Sequence, residues 1–253
     1  SDADTWDNNK SGKEILDWIL DNTQKIQSKI SFYSLERKQI IPKVEVTDYP
    51  QSLAGWFERT EKYPILCSLL MSDNPQERYW VNECYMSLLE KIYNKSISDD
   101  KLNIYLDRLE IEADIIKDIG EKLDDCLFAY FNTFKHYIDL FWDCGSIVGA
   151  GRGSSCAGLN HYLLGVTQLD PIKWKLPFFR YMNKERVELG DIDLDLCPSK
   201  RPLIMKKIKE ERGKNFISEI DDLTRKNCGA TFIATFGTET AKSAIITACR
   251  GYR

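Results

Sequence analysis

Apolar residues recur at threes and fours through most of the first half of the chain. Between Ser11 and Ile30 they fall at Ile15, Leu16, Ile19, Leu20 and Ile26; between 100 and 119 they fall at Leu102, Tyr105, Leu106, Leu109, Ile116 and Ile119. Such spacing turns one side of a 3.6-residue helix toward a core. It predicts helices over 11–30, 51–70, 76–94 and 100–119, the last closed by Gly120, with an extended stretch through Ile40-Ile41-Pro42-Lys43-Val44. The aromatic and leucine positions of these helices read as core, and nothing in them carries chemistry.

The texture changes after Asp125. Leu127 to Trp142 is an apolar, aromatic helix, followed by Gly145-Ser146-Ile147-Val148-Gly149-Ala150-Gly151-Arg152-Gly153-Ser154-Ser155-Cys156-Ala157-Gly158. A short apolar run, a glycine-rich loop and then Leu159 to Leu164 read as strand, tight loop and helix. Backbone amides of such a loop can face an anion, because no Cβ holds a phosphate away from them. Arg152 adds a guanidinium suited to phosphate oxygens.

From Leu189 onward, Gly190-Asp191-Ile192-Asp193-Leu194-Asp195-Leu196 alternates with period two. That predicts a strand with Asp191, Asp193 and Asp195 on one face and Ile192, Leu194 and Leu196 on the other. Three like charges in a row call for a counter-ion, and hard carboxylate oxygens suit Mg²⁺ or Mn²⁺. Arg180 and Arg186, shortly upstream, could neutralise a triphosphate. A basic helix is expected over 200–209, a strand over 230–235 and a helix over 239–250 with Thr238 as its N-cap.

Composition narrows the function classes. With 43% hydrophobic and 29% charged residues the 253-residue chain is neither collagen-like nor wholly disordered. No run of eighteen apolar residues occurs, so a transmembrane helix is not expected, and the acidic start Ser1-Asp2-Ala3-Asp4 is no secretory signal. The eight cysteines include no Cys-x-x-Cys pair and there are two histidines, which disfavours a Cys/His zinc site and favours reduced, cytoplasmic thiols. Charge is uneven: residues 1–126 carry 16 basic and 25 acidic side chains, residues 127–253 carry 19 and 14. A basic second half fits a polyanionic partner.

Glycine amides and arginines for phosphates, with carboxylates for metals, are the components of nucleotidyl transfer. The ordered set Gly-Arg-Gly-Ser at 151–154, Leu169-Asp170-Pro171, Phe-x-Arg-Tyr-Met-Asn-x-Glu-Arg-Val at 178–187, Asp-Ile-Asp-Leu-Asp at 191–195, and Thr235-Phe236-Gly237-Thr238 with Ala241-Lys242 closely resembles the bacterial replicative DNA polymerase III alpha subunit, of polymerase family C. The specific likeness runs from Leu127 to Arg250, and a looser one is centred on Tyr33 to Val46. Two positions depart from the family pattern: Gly190 stands where Pro is usual, and Ala157-Gly158 where a further Gly-Ser is frequent.

The resemblance implies an α+β fold, a polymerase-beta-like nucleotidyltransferase palm sheet flanked by helices with a helical N-terminal half. It implies a helical linker region and early palm over 1–125, a catalytic palm core over 126–229 and the start of a thumb over 230–253. Asp191 and Asp193 would be the catalytic, metal-holding aspartates, with Asp195 a third acidic position; Arg152, Gly153, Ser154, Arg180 and Arg186 would face the nucleotide. Two Mg²⁺ or Mn²⁺ ions, primer-template DNA and deoxynucleoside triphosphates would be its ligands. A sliding clamp and other replisome subunits would bind elsewhere on the parent enzyme. A third catalytic aspartate and the fingers would also lie elsewhere, so the isolated segment is expected to be inactive. A non-catalytic helical interaction module and a small stand-alone nucleotidyltransferase are the other readings.

Overall fold

The computed structural model describes residues 11–29 and 41–215. The chain divides into two compact units, residues 1–40 and 41–253. In the first, helix α1 spans Gly12–Lys29. Its start is a capping box: Ser11 N donates to Glu14 Oε2 at 2.7 Å while Ser11 Oγ receives Glu14 N at 3.4 Å. Against the expectation of a core face, its Leu16, Ile19, Leu20 and Ile26 are exposed.

The second unit is built from six helices among the described residues: α2 (Pro64–Leu70), α3 (Pro75–Tyr93), α4 (Leu102–Leu123), α5 (Phe128–Asp143), α6 (Leu159–Leu163) and α7 (Arg201–Asn215). Proline at the first position starts both α2 and α3, and Asn74 caps α3 by accepting Gln76 N at 3.0 Å. The helix expected over 51–70 is therefore confined to its last turns, preceded by a 3₁₀ turn at Phe57–Arg59. Nor does Gly120 end α4, which runs on to Leu123 and closes on Asp124 in the left-handed region, φ 54°. Gly120 instead lets the chain double back, since a Cβ there would lie 2.9 Å from Asp125 O.

Helix α3 packs against α2, α5 and α6, and α4 packs against α2 and α6. Trp80, Val81 and Leu88 of α3, Leu106, Leu109, Ala113 and Ile116 of α4, and Phe128 and Phe131 of α5 are fully buried between them. Trp80 and Phe128 meet with ring centroids 4.9 Å apart. Burial of this kind contributes about 1.5–3 kcal/mol per large side chain.

Among the described residues the expected α+β architecture with a palm sheet is not what forms; they are helical. The described residues contain no strand, only the isolated bridges Val148↔Leu196 and Asn183↔Arg186. Three extended pieces lie together but share single hydrogen bonds: Gly149 N donates to Asp195 O at 2.9 Å, Cys197 N to Ser146 Oγ at 3.1 Å, and Gln168 N to Ala150 O at 2.8 Å. A ladder needs pairing along the length of a strand. Here the first piece turns away after Ala150, because Gly151 (φ 122°) and Gly153 (φ 66°) leave the extended region. The strand over 230–235 and the helix over 239–250 fall outside the described residues.

Candidate functional site

The chemistry-bearing residues gather where the glycine-rich loop meets the acidic segment. Within 191–196 exposure alternates residue by residue: Asp191, Asp193 and Asp195 are exposed, while Ile192, Leu194 and Leu196 are half-buried against the core. The three carboxylates thus share a side of an extended backbone anchored at its far end by Val148 and Gly149. Gly149 lies so close that a Cβ would approach Asp195 Cβ to 2.9 Å.

Arg152 stands over two of these carboxylates. Its Nε lies 3.6 Å from Asp193 Oδ2, and its Nη1 donates to Asp195 Oδ1 at 3.3 Å. Gly153 abuts the same face, its ideal Cβ 3.8 Å from Asp193 Oδ2. Beside them opens a cleft of about 160 Å³ whose lining includes Ser154, Arg180, Arg186, Gly190 and Asp191, with Tyr181 and Met182 as its floor. Arg180 ends a 3₁₀ turn, Phe178–Arg180, whose Phe178 is buried. Arg186 is oriented by the Asn183 side chain, which accepts Glu185 N and Arg186 N at 3.1 and 3.0 Å. The Arg186 guanidinium pairs with Glu188 at 2.6–2.7 Å.

Gly190 is held at the cleft's edge by two tyrosines, its carbonyl accepting Tyr130 OH at 2.7 Å and Tyr181 OH at 3.2 Å. Burial, with Asp191 nearby, pushes the Tyr130 phenol up to about 12, so it remains a proton donor.

The loop itself is a 3₁₀ turn, Gly153–Ala157, leading to α6. The amides at the start of α6 are already taken within the core. Glu112 of α4 takes them, accepting Leu159 N on Oε1 at 2.8 Å and Asn160 N on Oε2 at 2.9 Å, with Asn160 Nδ2 at 2.8 Å. Its neighbour Arg108 donates through Nε to Glu112 Oε1 at 2.8 Å and through Nη2 to Ala157 O and Leu176 O at 2.7 and 3.0 Å. Sequence reasoning missed this pair. The signal was an acid on the buried stripe between Leu109 and Ala113–Ile116, a position that a solvated acid would not occupy.

His161 supports the loop from beneath. It is fully buried, its Nδ1 2.6 Å from Ser155 O, which can only accept, so Nδ1 carries the proton. A Cβ at Gly158 would lie 2.6 Å from that nitrogen, which explains Gly158 in the loop. The Leu169-Asp170-Pro171 motif is structural here: Asp170 accepts Ile172 N and Lys173 N on Oδ1 and Tyr105 OH on Oδ2.

For a hard divalent cation the donors are of the right kind, exposed carboxylate oxygens beside a phosphate-competent arginine set. Among the described residues no three His, Cys, Asp or Glu side chains converge as a ready-made cage. A divalent cation held at these carboxylates would have to complete its shell with other oxygens, such as water or phosphate, as Mg²⁺ commonly does. The described cysteines, 67, 84, 126, 144, 156 and 197, are free thiols. Among the described residues no helix is long and apolar enough to cross a membrane.

Comparison with known proteins gives a consistent picture. The family model "Bacterial DNA polymerase III alpha NTPase domain" matches residues 79–253. The chain is 34% identical over 244 residues to "Probable DNA polymerase YorL" of Bacillus subtilis (strain 168), covering 94% of this chain and 18% of that protein. It matches "DNA-directed DNA polymerase" of Bacillus phage SPbeta with the same identity and coverage. With "DNA polymerase III subunit alpha" of Buchnera aphidicola it shares 30% identity over 173 residues, 67% of this chain and 13% of the relative. The chain thus spans under a fifth of the length of these relatives.

Proposed function

The chain belongs to the family of the bacterial DNA polymerase III alpha NTPase domain, and on that premise we propose that it forms the nucleotide- and metal-binding part of a replicative DNA-directed DNA polymerase. The observation that carries this reading is the convergence of Ser154, Arg180, Arg186 and Asp191 on one cleft, beside Arg152, Gly153, Asp193 and Asp195. Four residues separated by up to 37 positions in the chain meet there, and all are of the types that phosphoryl chemistry needs.

In this reading the triphosphate of an incoming deoxynucleotide lies along the cleft. Arg180 and Arg152 neutralise its charge, and Arg186 exchanges its bond to Glu188 for phosphate oxygens. Gly153 and Ser154 leave room for the phosphates to approach the backbone. Asp191 and Asp193, with Asp195 beside them, would hold two Mg²⁺ or Mn²⁺ ions, whose contribution when bound is to lower the proton affinity of a primer hydroxyl and to stabilise departing pyrophosphate. The primer 3′-oxygen bonds to the α-phosphorus as its hydroxyl proton passes to water, the α–β bridging P–O bond breaks, and pyrophosphate leaves with that electron pair. Arg152 lies against Asp193 and Asp195 and offsets their mutual repulsion; a cation held by the same carboxylates would supply that compensation in its place.

Primer-template DNA is the macromolecular partner of this reaction, and clamp and replisome contacts belong to other parts of the polymerase. Replication also implies a cytoplasmic setting, consistent with free thiols. The test is primer extension by the complete polymerase containing this segment. Asp191→Ala or Asp193→Ala should lower kcat at least ~100-fold, about 2.7 kcal/mol of transition-state stabilisation. The 253-residue segment alone should extend no primer. Full activity in both mutants would refute the assignment.

A further inference from the structure

Helix α4 carries two carboxylates that each close the start of another helix. Glu110 accepts Ile65 N and Leu66 N of α2 at 2.7 and 2.9 Å, and Glu112 accepts Leu159 N and Asn160 N of α6 at 2.8 and 2.9 Å. The first serves the far side of the unit. The second reaches the loop that faces the cleft, and it does so from complete burial.

A buried ion pair is a poor device for stability alone. Its desolvation offsets most of its attraction, and apolar replacements of similar volume often do as well. What such a pair does supply is geometry, because every donor and acceptor must be met in place. In the pair Arg108–Glu112 the partners are specific. The two Glu112 oxygens take the first amides of α6, and one Arg108 nitrogen bridges Ala157 O at the end of the glycine-rich loop and Leu176 O just before the Phe178–Arg180 turn. The Arg108 guanidinium also lies 5.8 Å from the centre of the buried Phe178 ring. Ser154 and Arg180, which both line the cleft, stand a few residues from these two anchored carbonyls.

We propose that Arg108 and Glu112 are positioning residues for the nucleotide cleft, a fork that ties the glycine-rich loop and the Arg180 turn to one rigid helix and thereby sets the spacing between Ser154 and Arg180. This rests on the nucleotide reading of the cleft. Lysine at 108 gathers its three donors on one nitrogen, whereas Arg108 serves the carboxylate through Nε and the two carbonyls through Nη2, so the substitution cannot keep both sets of contacts in place. Glutamine at 112 keeps the shape but turns a donor toward amides that need an acceptor.

The experiment compares the wild-type chain with Glu112→Gln, Arg108→Lys and Glu110→Gln, the last removing the same kind of cap from the same helix without touching the loop. Amide hydrogen exchange and titration with Mg²⁺·dATP are measured on each. Glu112→Gln should speed exchange at Leu159, Asn160 and Ser154 by at least about ten-fold relative to α3 amides. It should also weaken Mg²⁺·dATP binding by at least about ten-fold, with Arg108→Lys intermediate and Glu110→Gln unchanged in both respects. Equal effects of Glu110→Gln and Glu112→Gln on both readouts would overturn the proposal, as would a loosened loop with undiminished nucleotide affinity. A wild-type chain that binds no Mg²⁺·dATP would overturn the nucleotide reading and this assignment together, an outcome distinct from wild type and Glu112→Gln binding equally well.

Discussion

His161 sits where a titratable ring is least at home, fully buried, edge-on to Tyr181 with ring centroids 4.7 Å apart and bonded by Nδ1 to Ser155 O. Burial pulls its pKa from 6.5 down to about 4, because the imidazolium would be desolvated. The unfolded chain therefore binds a proton that the folded chain refuses between these two values. Stability from this group is complete above about pH 6.5 and is lost as pH falls toward 4, up to about 3 kcal/mol. Glu112 acts in the opposite sense, since burial raises its pKa from 4.5, so its contribution falls as pH rises. The difference between two proteins isolates the histidine. Chemical denaturation of wild type and His161→Gln at pH 4.5 and 7 should show a steeper loss on acidification in wild type; parallel losses would contradict the burial account. None of this was legible beforehand, because a lone His between Asn160 and Tyr162 gives no sign of which side of a five-residue helix it will occupy.

The acidic segment shows what a sequence pattern can and cannot say about an element. Period-two alternation reports which side chains share a face, and the exposures of 191–196 follow it. It is silent on whether a neighbour offers a row of amides and carbonyls, and among the described residues only Val148 and Gly149 do so. The 3.6-residue periodicity fared better for α3, α4 and α5, where an apolar stripe and a core that receives it are the same fact. It failed over 51–63, where apolar residues pack from non-helical backbone and Pro64 starts the helix. Gly190 gives the segment its own test. An added Cβ would lie 2.4 Å from Tyr181 Cζ, and that ring is buried against His161 and cannot withdraw. Tyr181 thus fills the space beside the position where the family usually has proline. Gly190→Ala should destabilise by about 1–3 kcal/mol in urea denaturation, and Tyr181→Leu in the same chain should recover part of that loss. An unchanged midpoint in Gly190→Ala would show that the contact is not tight.

Across the second unit, helices α2 to α6 form the packed core and the chemistry lies on irregular backbone between them, as is usual where function needs exposed side chains. The order of the motifs was legible because each is a run of unusual residues. Their assembly was not, because the contacts that anchor them come from residues that look ordinary in the sequence: Arg108 and Glu112 at the glycine-rich loop and before the Arg180 turn, and Tyr130 and Tyr181 on the Gly190 carbonyl. The proposed function has the aspartates beside Arg152, Arg180 and Arg186 hold a divalent cation together with a nucleotide. It is tested most directly by titrating the chain with Mn²⁺ in the presence of dATP and following the paramagnetic resonance of free Mn²⁺. Saturable uptake beyond that of dATP alone, lost in Asp191→Ala and in Asp193→Ala but kept in Asp139→Ala, whose carboxylate pairs with Lys135 on α5, is the predicted result. Equal Mn²⁺ uptake by wild type and all three variants would contradict it.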